Sequence, residues 1–404
     1  MKKSTIITIA CFVLGIIVLS AGFILLTDNN ISNSIFTTTT TTTTGGGEPE
    51  GPKYDPMNFF EYDVTQFVTL GQYTGFEVEV ESLGISEEEL EWQIAMMLFN
   101  DKAFTKLEEG NVGERVIFNF DYSGYRKLYN ENGDEVKVKF EGGTATGHDA
   151  YIEDGLFYDL TTSSLFIEGF AEGILGGKVG EAFVITATFP EDYENSPDLA
   201  GQTVYFDIKI NYIAKTELTD EWVKEDTEGQ YTTAADYRTY LKEYVNSSIE
   251  SSNRVAVWLE VVKCATFIEI PKQEFDYIYD YYYTNIDYYA QMFGTTAEKF
   301  VEEGYAKMYL GINATTMDEL SELVRDIIRE ELVVFAVMQA ENMSVSDEEF
   351  DALVDELVAS SGKTREEVIE NYTEKYLREQ ILFDKADKFI SANNTLVLKG
   401  ESAQ

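Results

Sequence analysis

Apolar and acidic residues alternate one for one in FEVEVE, Phe76 to Glu81, the period of a strand with one buried face. The text that follows, GISEEELEWQIAMMLFN, loses that period and begins with Ser86-x-x-Glu89, a capping box, which predicts a helix. From Val112 to Ala214 alternation returns in VIFNFDYSG, in VKVKF after the Asn132-Gly133 turn, in AFVITATF and in TVYFDIKINYI. These runs predict a compact antiparallel sheet domain. From Leu218 onward helical spacing takes over with Pro271 as its one proline, and Thr316-x-x-Glu319 and Ser346-x-x-Glu349 mark two further helix starts. The C-terminal half reads as helical.

Upstream of this pattern, Ile6 to Leu26 is a run of about 21 residues without a charge, long enough to span a bilayer as a helix. Lys2 and Lys3 before it and Asp28 after it orient the remainder of the chain outward. A lipoprotein signal would need cysteine where Phe23 stands, and cleavage after the small residues Ser20-Ala21-Gly22 is the alternative to a retained anchor. The stretch TTTTTTTTGGGEPEGP, Thr37 to Pro52, has nothing to bury and reads as a tether. The fold class expected is therefore α+β with an N-terminal transmembrane helix, a sheet domain and an all-α C-terminal domain. Its divisions are 1–27 anchor, 28–56 linker, 57–110 strand and linker helix, 111–215 sheet domain and 216–404 helical domain. The expected location is the cell membrane, single-pass, with the bulk of the chain extracytoplasmic.

Charge narrows the partners. With 73 acidic against 30 basic residues the net charge is -43, which repels phosphate backbones and argues against nucleic acid. Two cysteines, Cys11 and Cys264, give no disulfide framework, and one histidine, His148, leaves no zinc-binding spacing. His148 reads as a surface loop residue, not a ligand. Acidic runs such as Glu87-Glu88-Glu89 and Asp347-Glu348-Glu349 fall where helices start and complement the dipole.

The segment FIEGFAEGILGGKVGEAFVITATFPEDY, Phe166 to Tyr193, holds five glycines and no nucleophile. Its glycines suit a short helix that must start, stop and hand over to a strand, and neither a P-loop nor a dinucleotide-binding pattern is present. This segment, with GERVIFNFDYSG, FEGG and DLAGQTVYFDIKI around it in the same order, resembles the FK506-binding-protein class of peptidyl-prolyl isomerases, and most closely its version in trigger factors. The resemblance runs from about Tyr62 to Asn394 and takes in LTDEWVKED and the helices after it, which are similar to the trigger factor chaperone domain. It leaves out the ribosome-docking front of that family, so no ribosome partner is expected.

The resemblance implies a sheet wrapped on a short helix and a pocket placed residue by residue. Tyr122 would be a wall tyrosine, Phe140 and Glu141 the wall aromatic and its acidic neighbour, and Phe166-Ile167 the pair whose second N–H meets the substrate carbonyl. Phe170 would be the aromatic floor, Tyr193 the rim hydroxyl and Phe206 the back wall. Glu168, Ala171 and two longer stretches, Tyr125 to Lys139 and Thr144 to Ser164, depart from the family pattern; the stretches read as loops flanking the pocket. Such a pocket needs neither nucleophile nor cofactor, because rotating an Xaa-Pro amide breaks no covalent bond and is opposed by a barrier of roughly 18–20 kcal/mol. The expected function is an FKBP-type isomerase and chaperone for unfolded or newly exported polypeptides. The alternative is a non-catalytic scaffold that keeps only the fold. EFDYIYDYYYTNIDYYAQMF, Glu274 to Phe293, is too aromatic for one buried stripe, so some of its tyrosines are expected on a client-binding surface.

Overall fold

The computed structural model describes residues 53–162 and 166–400. Their elements run β1 (Val68–Thr69), β2 (Glu77–Val80), α1 (Glu87–Asn100), β3 (Phe104–Leu107), β4 (Phe118–Tyr129), β5 (Glu135–Glu153), β6 (Leu156–Asp159), α2 (Phe170–Ile174), β7 (Ala182–Thr188), β8 (Thr203–Thr216) and α3 (Asp220–Asp226). They continue with α4 (Ala234–Cys264), β9 (Thr266–Phe267), α5 (Lys272–Met292), α6 (Ala297–Glu302), α7 (Tyr305–Leu310), α8 (Met317–Ala340), α9 (Asp347–Ser361), α10 (Arg365–Tyr372), α11 (Glu374–Ala392) and β10 (Thr395–Leu398). The chain divides into a sheet unit, Ser86–Glu243, and a helical unit made of the residues up to Ile85 together with Tyr244 onward.

The sheet unit is built on six strands in the order β3-β8-β4-β5-β6, with β7 also paired to β8, and every one of these pairings is antiparallel. In β8 the alternation of the sequence becomes geometry: Val204, Phe206, Ile208 and Ile210 are buried while Thr203, Asp207 and Lys209 face solvent. The short helix α2 lies in the core of the same face with Phe118, Phe120 and Ile152. Neighbouring residues of a strand point to opposite faces, so Tyr151, one residue before Ile152, meets the other side, where Met96 and Phe99 of α1 pack. Fully burying each of these large apolar side chains is worth roughly 1.5–3 kcal/mol.

The described residues of the stretches Tyr125 to Lys139 and Thr144 to Ser164 are mainly strand, which corrects the expectation of loops. The β4–β5 ladder carries on through Tyr125↔Lys139 to Tyr129↔Glu135, and β5 continues past Thr144 to hairpin with β6 across Asp154-Gly155. Two register shifts in β4, between Phe120 and Tyr122 and between Ser123 and Tyr125, accommodate the irregular strand opposite.

In the helical unit α8 is the central helix: Leu320, Val324, Ile328 and Leu332 recur every fourth residue and are buried. Ser346 and Glu349 form the reciprocal capping box at the start of α9. Thr316 caps α8 by accepting from Glu319 N, while the Glu319 carboxylate takes the N–H of Thr315 instead of the cap's own. The unit is not all-α. β1 pairs antiparallel with β9, and β2 pairs parallel with β10, Glu77↔Thr395 through Val80↔Leu398. Phe59, Val64, Val68, Val78 and Val80 join the core of α8.

The transmembrane helix expected over Ile6 to Leu26 lies outside the described residues. Among the described residues no helix is long and apolar enough to cross a membrane. The fold class is corrected accordingly to a mixed α+β arrangement of the described residues, none of whose helices is long and apolar enough to span a membrane, and the single-pass, extracytoplasmic placement is withdrawn with it.

Candidate active site

Three elements of the sheet unit aim aromatic rings at one point. Phe170, the first residue of α2, is fully buried, and its ring lies 4.4 Å from Phe166, 5.1 Å from Phe206 of β8 and 6.2 Å from Tyr122 of β4, centroid to centroid. Tyr122 stands nearly perpendicular to Phe166 at 5.4 Å, and Phe140 of β5 closes on Phe206 at 6.0 Å. Two glycines make this approach possible. Gly169 caps α2 with φ +88°, a conformation that side chains resist, and a Cβ there would lie 3.2 Å from the Thr186 carbonyl oxygen. At Gly124 a Cβ would collide with the rings of Phe140 and Phe206 at 2.6 and 2.7 Å.

Of the eight positions singled out in the sequence, seven come together in one apolar cluster: Tyr122, Phe140, Phe166, Ile167, Phe170, Tyr193 and Phe206. Tyr193 joins it at the edge, its ring tilted 4.7 Å from Phe189, which bridges to Phe140 at 5.8 Å. Glu141 stands apart. It is exposed, and its carboxylate makes no hydrogen bond or ion pair among the described residues. No acceptor among the described residues takes the N–H of Ile167, while its carbonyl accepts from Phe170 N at 3.2 Å.

Three aromatic members went unnoticed in the sequence. Phe157 of β6 packs 4.9 Å from both Phe166 and Phe170, Phe120 lies 5.5 Å from Tyr122, and Phe189 extends the wall toward Tyr193. The alternation in LFYD was the available signal for Phe157, hidden because the stretch read as a loop.

His148 corrects a further expectation. It is not a surface loop residue but a half-buried member of β5, paired with Phe120 in the ladder. Its Nδ1 lies 2.7 Å from Asp159 Oδ2, and its ring is perpendicular to Tyr122 at 5.8 Å and to Phe120 at 6.3 Å. Asp159 is only 3% exposed and also accepts from the Thr161 and Thr162 N–H groups and from Thr162 Oγ1. Burial alone would raise the Asp159 carboxyl, but the bonds from His148, Thr162 and the two backbone groups outweigh it and hold the group below the ordinary carboxylate range. Asp159 is therefore an anion and can only accept, so the proton between them sits on His148 Nδ1. Burial first, and the Asp159 charge second, push the Tyr122 phenol above its ordinary value, which keeps it an O–H donor.

In the helical unit the tyrosines of α5 are all partly buried, Tyr279 and Tyr282 packing into both of its larger cores. The exposed apolar surface lies just beyond. Met292 is 67% and Met308 73% exposed, beside exposed Phe293 and Tyr309, whose rings are 4.9 Å apart.

The comparisons with known proteins agree with this division. Residues 128–211 match the family model of FKBP-type peptidyl-prolyl cis-trans isomerase, and residues 233–392 that of the bacterial trigger factor protein C-terminus. The trigger factor of Macrococcus caseolyticus is 29% identical over 312 residues, 74% of this chain and 66% of the relative. That of Caldicellulosiruptor saccharolyticus is 27% identical over 341 residues, 81% and 71%, and trigger factor 1 of Desulfitobacterium hafniense 30% over 292 residues, 70% and 62%. The chain thus spans about two thirds of the length of these relatives. A solved structure titled for promiscuous substrate recognition by the trigger factor chaperone aligns with 80% of this chain and 72% of its own, at 18% identity and a TM-score of 0.29. The two family matches and the curated relatives make the chain a trigger factor-like protein that carries an FKBP-type sheet unit.

Proposed function

We propose that the sheet unit catalyses cis-trans isomerisation of Xaa-Pro bonds and that the helical unit holds unfolded polypeptides. The observation that carries the first half is the convergence of Tyr122, Phe166 and Phe206 on the buried floor ring of Phe170, with Phe140 and Ile167 in the same cluster. A prolyl ring seated on that floor leaves water, and a dry aromatic site disfavours the charge-separated planar amide relative to the twisted one. The Ile167 N–H and the Tyr122 hydroxyl are the donors on hand for the carbonyl as it rotates. No covalent intermediate or cofactor enters. The uncatalysed step takes tens of seconds or longer, so even a modest acceleration shortens the life of a half-folded client.

Exposed Glu141 favours one rival, a scaffold that binds prolyl segments without turning them over, since the acidic neighbour of Phe140 is not engaged with the wall. The test is a protease-coupled or exchange-NMR assay on a Phe-Pro or Leu-Pro peptide, with wild type, Tyr122→Phe and Phe170→Ala compared in that expected order of activity. A folded wild type that binds the peptide but leaves its isomerisation rate unchanged supports the scaffold.

For the holding activity, the surface of Met292, Phe293, Met308 and Tyr309 is an apolar face of the kind that marks interaction sites. The full chain should suppress aggregation of an unfolded client, and the Met308→Ser, Tyr309→Ser pair should weaken that suppression without changing the melting temperature. Undiminished suppression by the variant places the holding surface elsewhere. A fragment starting at Leu218 is the wrong test, because it lacks Phe59, Val64, Val68, Val78 and Val80 of the helical core.

A further inference from the structure

The chain's single histidine sits beside the candidate pocket and not on the open surface. Three observations define its setting. The Asp159 carboxylate that binds it is itself fixed by three further bonds, two from backbone N–H groups and one from Thr162 Oγ1, so the imidazole is tied to a rigid point of β6. The imidazole then meets Tyr122 and Phe120 edge to face, at 88° and 84°. Tyr122, finally, spans the distance between this pair and the floor, since it touches Phe166, Phe170 and Phe206 on its other sides.

Other charged groups nearby have other work. Asp121 of β4 accepts from Gly147 N and Asn211, and Asp149 of β5 from Asn119 and Tyr212. The core of an aromatic pocket rarely contains an ion without a reason, because a buried carboxylate costs free energy unless it is paired and bonded. A plain apolar residue at position 148 or 159 would fill the same volume at less cost, so the pair must supply something that packing alone does not.

We propose that His148 and Asp159 are the positioning pair of the isomerase site: Asp159 fixes the tautomer and angle of the imidazole, and the imidazole edge fixes the plane of the Tyr122 ring that walls the pocket. This rests on reading the aromatic pocket as a prolyl isomerase. His148 touches no substrate in this arrangement and acts only through Tyr122. The arrangement has the form of a carboxylate orienting an imidazole, here used to hold an aromatic wall instead of to move a proton.

The test uses the full chain with His148→Ala, His148→Gln, Asp159→Asn and wild type, each shown to be folded by its thermal transition. Two readouts are taken: peptide isomerisation, split into kcat and KM, and the Tyr122 ring resonances by NMR. His148→Ala should lower kcat by about tenfold with a smaller change in KM, because a wall displaced by a fraction of an ångström costs mainly in the transition state. It should also shift the Tyr122 resonances. His148→Gln, whose amide N–H can still reach Asp159, should recover most of both, and Asp159→Asn should resemble His148→Ala. Wild-type rates and unmoved Tyr122 resonances in folded His148→Ala overturn the proposal. So does a loss that His148→Gln fails to repair in either readout. If wild type itself does not isomerise the peptide, the isomerase reading fails, and the Tyr122 resonances still decide whether the pair holds the wall.

Discussion

In the sheet unit the buried Asp159 is surrounded by donors, and its carboxyl lies below the ordinary range despite burial. In the helical unit the buried Glu274 and the half-buried Glu331 have almost none. Glu274 of α5 receives one bond, from Met57 N at 2.5 Å, and burial pushes its carboxyl up to about 7 against that bond. Glu331 of α8 has one carboxylate oxygen sealed from solvent with no hydrogen-bond partner among the described residues. Burial, then the charges of Glu274 and Glu330, hold its carboxyl well above the usual value. One unit has ordered its acid as an anion; the other keeps its acids by keeping protons. The lesson is that burial alone does not set the charge state of a carboxyl: burial weighed against the donors that reach it does.

The signs of the pH dependence follow. Asp159 has a depressed native value, so its contribution to stability is present above about pH 3.8, the unfolded value, and is lost as pH falls through the native one. Glu274 has a raised native value, so its contribution is present in full below about pH 4.5 and is lost as pH rises through about 7. Acid should loosen the sheet unit, and a rise from mildly acidic pH through neutral the helical one.

The comparison can be broken most strongly from the pocket side. Phe170→Ala should destabilise the sheet unit by roughly 3–5 kcal/mol, through lost burial and the cavity left behind. Residue-resolved denaturant melts would show amides of β4 and β8 opening early while those of α8 keep their wild-type midpoint; equal shifts in both would mean that the units melt as one. Asp159→Asn should cost about 1–3 kcal/mol at pH 7, since an amide cannot accept as the carboxylate does and the His148 N–H loses its partner. That cost should shrink toward pH 3, and a pH-independent cost would deny the donor cage its role. Glu331→Gln should do the reverse and stabilise the helical unit by about 1–2 kcal/mol at pH 8, with little effect at pH 5. Chemical denaturation at the two pH values measures this, and a destabilised variant at pH 8 would show that the carboxylate has a partner worth more than its burial costs. The smallest effect sharpens the helical side: Ser346→Ala removes the cap of α9 and should cost about 1 kcal/mol, with faster amide exchange in its first turn and wild-type exchange in the sheet unit.

Local pattern carried a good part of this architecture. Period-two alternation marked β2, β7 and β8, and Ser86, Thr316 and Ser346 all cap the helices they precede. What escaped was long-range or irregular. Gly142, Gly143 and Gly147 interrupt the alternation of β5, so its 19 residues read as a short strand and loops. Gly143 is nevertheless where the Phe140 ring lies, 2.5 Å from where a Cβ would stand. The His148–Asp159 pair depends on the register of the β5–β6 hairpin, Ala150↔Asp159, which no spacing in the sequence discloses. Glu141 illustrates the opposite hazard: family order assigned it to the pocket wall beside Phe140, but strand geometry leaves it exposed.

The parallel pairing of β2 with β10 has a consequence for how the chain is made. Phe76 N donates to Asn394 Oδ1 across 318 positions, and Val78 and Val80 belong to the core that α8 organises. On a chain emerging from its N-terminal end, β2 appears early and waits, with the entire sheet unit synthesised and able to fold before its partner strand exists. The helical unit is thus the last part to close, and until it does its apolar core is exposed to solvent and to other chains. Its closing strand, β10, is the point at which that exposure ends.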